Sequence, residues 1–201
     1  MKKLLLTLTI LALTASGLLA QELSSEDRER GIKYLEKTRD AFVEASKDFS
    51  PAQWQFKPET NKWSAAQIAE HIAASEDFMM DTVRNSVMKA PPRAEGEDAR
   101  AIDEFIIKNV PDRTQKFQAP EPLVPKNRFG GAQDALKHFK ESRATSLALL
   151  KESSDLRKHA VDSPLGKKLD AYQWLLFMAA HSERHTRQLL ELKSSPGFPK
   201  S

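Results

Sequence analysis

Apolar residues recur at helical spacing along most of the chain. Between Ser25 and about Asp48, Ile32, Leu35, Phe42 and Phe49 form one stripe among charged positions, which predicts a first helix ended by Ser50-Pro51. Trp54, Phe56, Pro58 and Trp63 follow in a predicted loop, whose large aromatics suit the closure of a core end or, less simply, a partner-binding patch. Ser64-Ala65-Ala66-Gln67 reads as a capping box opening a second helix that reaches about Val87, with Ile68, His71, Ile72, Ser75, Met79 and Val83 on its inner face. Pro91-Pro92 and the acidic stretch Glu95–Asp98 predict an exposed crossover. A third helix is expected over Ala99–Asn109, with Ile102, Phe105 and Ile106 inward and Pro111 as its breaker. Prolines and glycines between Gln118 and Gly131 predict a long ordered loop. A fourth helix spans about Ala132–Ser153, with Leu136, Phe139, Leu147 and Leu150 inward. After a turn at Ser163–Lys168, Asp170-Ala171-Tyr172-Gln173 opens a fifth helix carrying Trp174, Phe177, Met178, His181, His185, Leu189 and Leu192, and a frayed tail follows Ser194. The expectation is an all-α fold, supported by few glycines and little strand-type alternation.

The first twenty residues have a different pattern. Met1-Lys2-Lys3 precedes an apolar run from Leu4 to Leu13, and Thr14–Ala20 ends on a small residue before Gln21, which is the layout of a signal peptide cleaved after Ala20. The run is short for a membrane span of ~20 residues, so an uncleaved anchor is the weaker alternative. No cysteine follows it, which excludes a lipid-anchored lipoprotein. The expected organisation is thus a leader over residues 1–20 and one helical domain over 21–201, located in the periplasm or secreted. Loss of Lys2 and Lys3 lowers the formal charge from +3 to +1, so the basic balance gives no reason to expect a nucleic-acid partner. With no cysteine in the chain, disulfides, thiolate ligands and a cysteine nucleophile are all excluded, and any metal must be held by His, Asp or Glu.

His181 and His185 lie four apart on the last helix, and such residues have Cβ atoms ~5–6 Å apart on one face. Both imidazoles can therefore reach one ion. Ser182-Glu183-Arg184 separates them, and the glutamate stands one residue too late for an HExxH protease motif. Two surface histidines on an amphipathic helix are the plain alternative. His71, however, also lies on an apolar stripe, between Ile68 and Ile72. Burying a polar ring without a partner costs ~1–3 kcal/mol, and a shared metal would satisfy all three rings while leaving a position open. His138 reads as a helix-surface residue and His159 as a loop residue. Glu76, Asp77, Asp81 and Glu183 read as solvated carboxylates, so no catalytic base is assigned. Gln188 is either a partner for His185 or a packing residue, and Arg143 either holds an anionic substrate or packs its stem with a solvated head.

The sequence Trp63-Ser64…His71, followed late by Gly166…Leu169…His181…His185…Gln188-Leu189, resembles the DinB-like metalloprotein superfamily. The stretches VPDRTQKFQAPEPLVP and FKESRATSL resemble segments of some members, so the likeness covers nearly all of the chain after residue 20. The resemblance implies a four-helix bundle with up-down-down-up arrangement, and a divalent metal held by His71, His181 and His185. Zinc is the first expectation, with nickel, manganese or iron as alternatives. It also implies kinship with bacillithiol transferases and mycothiol-dependent maleylpyruvate isomerases, and hence metal-dependent hydrolysis or thiol transfer on a small-molecule substrate. The leader departs from this pattern, because the thiol-cofactor relatives work in the cytoplasm. A helical-bundle module whose metal is only stabilising, or absent, is the alternative from another class. A homodimer through an exposed helix face is compatible with the fold.

Overall fold

The computed structural model describes residues 22–93 and 98–200; the leader expected over 1–20 lies outside the described residues. Six α-helices account for most of these residues: α1 (Ser25–Ala45), α2 (Pro51–Gln55), α3 (Ala65–Asn85), α4 (Ala99–Asn109), α5 (Ala132–Glu152) and α6 (Ala171–Lys193). Two short strands, β1 (Ala160–Asp162) and β2 (Lys168–Asp170), pair antiparallel, with Val161 opposite Leu169. No helix among the described residues is long and apolar enough to cross a membrane.

The four long helices, α1, α3, α5 and α6, form the bundle. α1 lies beside α6, and the pairs Asp27–Tyr172, Tyr34–Glu183 and Phe49–Lys193 climb together, so the two helices run in the same direction. α3 and α5 are likewise parallel: Ile68 and Ile72 share one half of the core with Leu136 and Phe139, and Met79 and Val83 share the other with Leu147 and Leu150. α3 faces α6 antiparallel, with His71 meeting His185 and the later Glu76 meeting the earlier Ser182. Parallel neighbours that follow one another along the chain need a long return, and residues 86–131, containing α4, supply it between α3 and α5.

The helix starts follow local chemistry. Ser64 and Gln67 form the predicted capping box on α3, and Asp170 and Gln173 form the one on α6. Ser50, read from sequence only as part of a stop, caps a short further helix: Ser50 Oγ accepts from Gln53 N and Gln53 Oε1 accepts from Ser50 N. Trp54 therefore lies on a helix, α2, and not in a loop. The turn expected at Ser163–Lys168 is the tip of the hairpin, with Gly166 at φ 67°. The tail is not frayed: Phe198 packs against Phe49 and Phe56, and Pro199 O accepts from Gln53 Nε2 at 3.0 Å.

The apolar core falls into two halves. One gathers Leu35, Met79, Val83, Leu150, Tyr172 and Leu175. The other gathers Phe42, Phe49, Trp54, Ile68, Phe139 and Leu189. A polar layer lies between them. Arg143 is fully buried and pairs with Glu76 through Nη2–Oε1 at 2.6 Å and Nε–Oε2 at 3.0 Å. Its remaining donors reach Leu35 O, Thr38 Oγ1 and Ser182 Oγ, all within 2.7–2.9 Å. The sequence reading placed Glu76 in water and gave Arg143 either an anionic substrate or a solvated head. The structure reverses this, because each supplies the other's counter-ion at a depth where neither could remain charged alone. A second buried network closes the far end, where Arg157 grips Asp103 with two bonds and reaches Asp170, the α6 cap.

Candidate metal centre

α3 delivers His71 and α6 delivers His181 and His185, and the antiparallel packing of the two helices brings the rings together. His71 Nε2 lies 3.3 Å from His181 Nε2, which lies 3.1 Å from His185 Nε2. The ring centroids of His71 and His185 are 4.5 Å apart. Among the described residues this is a cluster of three histidines whose ligand atoms all lie within 4.8 Å of one another, with no carboxylate in it. All three residues expected from sequence are therefore brought together. His138 and His159 are elsewhere: His138 pairs with Asp77 on the outer face of α3 and α5, and His159 bridges to Pro92.

Two of the outer ring nitrogens have defined partners. His71 Nδ1 lies 2.8 Å from Leu123 O, and a carbonyl can only accept, so this nitrogen carries the proton. His185 Nδ1 lies 2.8 Å from Gln188 Oε1, with the same consequence. A neutral imidazole carries one proton, so Nε2 of both rings is a bare lone pair. Burial is the main force pushing all three histidines below the ordinary imidazole value. His181 and His185 go well below it, with neighbouring rings and Arg184 or Arg113 pressing the same way. Neutral rings are the state that ligates.

The facing nitrogens thus hold at most one proton, on His181 Nε2, between three lone-pair positions. With its proton on Nδ1, His181 sets a lone pair against those of both neighbours at 3.1 and 3.3 Å; with it on Nε2, a single N–H faces two lone pairs and can be aimed at only one of them. A shared cation removes that conflict. Ligand atoms arranged tetrahedrally at ~2.0–2.1 Å from one ion are about 3.3 Å apart, which these spacings match. Three protein ligands leave a fourth position open.

The surroundings are apolar on two sides. The Trp63 ring lies 4.8 Å from His71 and 6.4 Å from His185, stacked on the latter. Phe177 meets His181 edge-on at 6.3 Å. Ser75, one turn beyond His71 on α3, carries a buried hydroxyl without a partner. Glu76 faces the polar layer and is fully engaged there, while Glu183 turns toward α1 and accepts from Tyr34. Gln188 proves to be the partner of His185. Sequence reasoning missed the Leu123 carbonyl, since a backbone group leaves no signal, and placed Trp63 at a core end or in a partner-binding patch although it belongs to the Trp-Ser pair that carried the resemblance.

A strap of chain crosses this face. Arg187 donates to Pro111 O at 3.1 Å and Arg184 to Asp112 O and Gln115 O, while Arg113 forms two 2.7 Å bonds with Glu191. Further along, Leu123 meets His71, and Glu70 accepts from the backbone of residues 126–128.

Comparison with known proteins agrees with this architecture. The chain is 27% identical over 150 residues to the uncharacterised protein YuaE of Bacillus subtilis (strain 168), covering 73% of this chain and 87% of YuaE. Among solved structures it is similar to YfiT from Bacillus subtilis, described as a probable metal-dependent hydrolase with an unusual four-helix bundle topology. That similarity has a TM-score of 0.59 at 18% identity and covers 88% of this chain and 91% of YfiT. The sequence profile of the DinB superfamily matches residues 34–189, with His71, His181 and His185 inside the match, and the chain belongs to that superfamily.

Proposed function

We propose that this protein is an exported metal-dependent hydrolase acting on a small molecule, with one divalent ion held by His71, His181 and His185. The observation that carries the reading is the surplus of lone pairs: three ring nitrogens converge with at most one proton among them. Imidazole donors favour zinc, with nickel, manganese and iron as alternatives. YfiT, described as a probable metal-dependent hydrolase, supports the choice of hydrolysis. Thiol transfer is the weaker branch, because the leader directs the chain away from the cytoplasm where thiol cofactors abound.

Such an ion, when bound, supplies Lewis acidity that activates a water and polarises the bond under attack. The protein's own groups prepare the place. Leu123 O and Gln188 Oε1 hold two rings with Nε2 inward. Trp63 and Phe177 keep bulk water from two flanks. One observation favours a second reading, in which the ion only stabilises the bundle: Glu76, the inward carboxylate a turn and a half beyond His71, has both oxygens engaged by Arg143 and is turned to the polar layer rather than offered to the centre.

The test uses untagged protein beginning at Gln21. Elemental analysis should find about one equivalent of a divalent metal in wild type and less than about a tenth in His185→Ala. Less than a tenth in wild type, even after reconstitution, overturns the metal site. Ester and amide panels should show turnover that His185→Ala abolishes. Bound metal with a chelator-sensitive melting temperature and no turnover would favour the stabilising role. N-terminal sequencing of protein recovered outside the cytoplasm should begin at Gln21.

A further inference from the structure

Glu70 precedes His71 on α3 yet is only 7% exposed, and the long loop before α5 is wrapped around it. Its carboxylate accepts from the backbone N–H of Lys126 at 2.7 Å, Asn127 at 2.8 Å and Arg128 at 3.1 Å. Asn127 adopts left-handed backbone, φ 61°, which turns successive N–H groups toward one anion. The Arg128 side chain then doubles back. Its Nε lies 3.4 Å from Glu70 Oε1, and its Nη2 donates to Pro122 O at 2.8 Å and Val124 O at 3.1 Å.

Those two carbonyls flank Leu123, whose own carbonyl accepts the Nδ1 proton of His71. The chain of bonds is therefore closed: from Glu70 to the loop backbone, through the Arg128 guanidinium to the residues on either side of Leu123, and through Leu123 back to the residue after Glu70. A carbonyl on a free loop would be a poor orienter, because the loop's own freedom would be spent with each bond formed. Here it is held at both shoulders by the two N–H groups of Arg128 Nη2, while Nε of the same planar guanidinium faces Glu70.

We infer that Glu70 and Arg128 are positioning residues that fix His71 in its Nδ1–H tautomer through the Leu123 carbonyl, so that Nε2 is committed to the shared centre before any ion arrives. This rests on the metal reading for its purpose but not for its test.

The test has two arms. In the first, the ring nitrogens of His71 are assigned by nitrogen-15 NMR at pH 8 in metal-free protein, where tautomers are read directly. Wild type should show one tautomer with the proton on Nδ1. Arg128→Ala should show a mixture, and Glu70→Gln, which retains only one acceptor oxygen for the three backbone donors, should do the same. Arg128→Lys should not restore the single tautomer, because an ammonium cannot reproduce the fork. Lys126→Ala should match wild type, since Lys126 gives Glu70 only its backbone N–H. In the second arm, competition with a zinc chelator should show affinity reduced about 10–100-fold in Arg128→Ala and unchanged in Lys126→Ala. A single Nδ1–H tautomer surviving in both Arg128→Ala and Glu70→Gln overturns the inference, whatever happens to melting temperature. Wild type that binds no zinc removes the metal reading alone, and loss of the tautomer in the variants still upholds the clamp.

Discussion

Tyr34 and Tyr172 are the two tyrosines of the chain, and both hydroxyls donate inward. Tyr172 bonds Asp27 O at 2.6 Å and Tyr34 bonds Glu183 Oε2 at 2.9 Å. Burial raises both phenols first; at Tyr172 it outweighs the opposing Arg30 guanidinium, with Asp103 and Asp27 adding to the rise, and pushes the ring up to about 12, while the Glu183 carboxylate pushes Tyr34 higher still. A group whose folded value is raised contributes stability that is complete below its unfolded value, here 10.0, and is lost as pH climbs through the folded one. An alkaline titration followed by tyrosinate absorbance should therefore show neither ring ionising near 10 in native protein and both doing so in urea. One ring titrating near 10 in the folded state would contradict the described burial. The same scale explains why the site was partly legible. His71, His181 and His185 announced themselves because imidazoles on apolar stripes need a reason. Glu76 and Arg143 did not, because each looks like an ordinary helix-surface charge until its partner 67 residues away is known.

Between elements, α1 comes close to α6 at Gly31. A Cβ on Gly31 would lie 2.7 Å from Tyr172 Cε2 and 3.0 Å from Leu150 Cδ2. Both neighbours are fully buried, and the Tyr172 ring is tied by its hydroxyl. Alanine gains ~0.8–1.0 kcal/mol of helix propensity over glycine, whereas overpacking costs ~1–3 kcal/mol. Gly31→Ala should therefore lower stability by up to about 2 kcal/mol in urea unfolding, against its propensity. A stabilised variant would mean that the two helices can separate more readily than their packing indicates. The long helices were readable from their apolar period and caps, α4 to the residue and α3 and α6 from their capping boxes. The small elements were not. Three-residue strands are too short to show alternation, and Ser50-Pro51 both ends one helix and starts another, so a stop signal hid a start.

For the whole molecule, the layer of Glu76, Arg143, Thr38 and Ser182 joins all four long helices at mid-height. Removing one partner of a buried pair leaves an uncompensated charge, at a cost of about 3–5 kcal/mol. Arg143→Ala should lose stability on that scale in denaturant unfolding, while the double change Arg143→Met with Glu76→Leu should recover most of it. If the single variant is as stable as wild type, the layer contributes far less than its burial implies. In the observed alignment every helix of the bundle supplies a partner to the Arg143–Glu76 pair. The parallel setting of α3 and α5 has one more result. Because a hairpin cannot join them, the connecting stretch must travel the length of the barrel-like stack, and on its way it lays Leu123 over one histidine and residues 111–115 beside the helix that bears the other two. Helices and cover are thus two parts of one centre: a change in the cover would alter what reaches the three imidazoles and, at Leu123, the partner that His71 Nδ1 donates to.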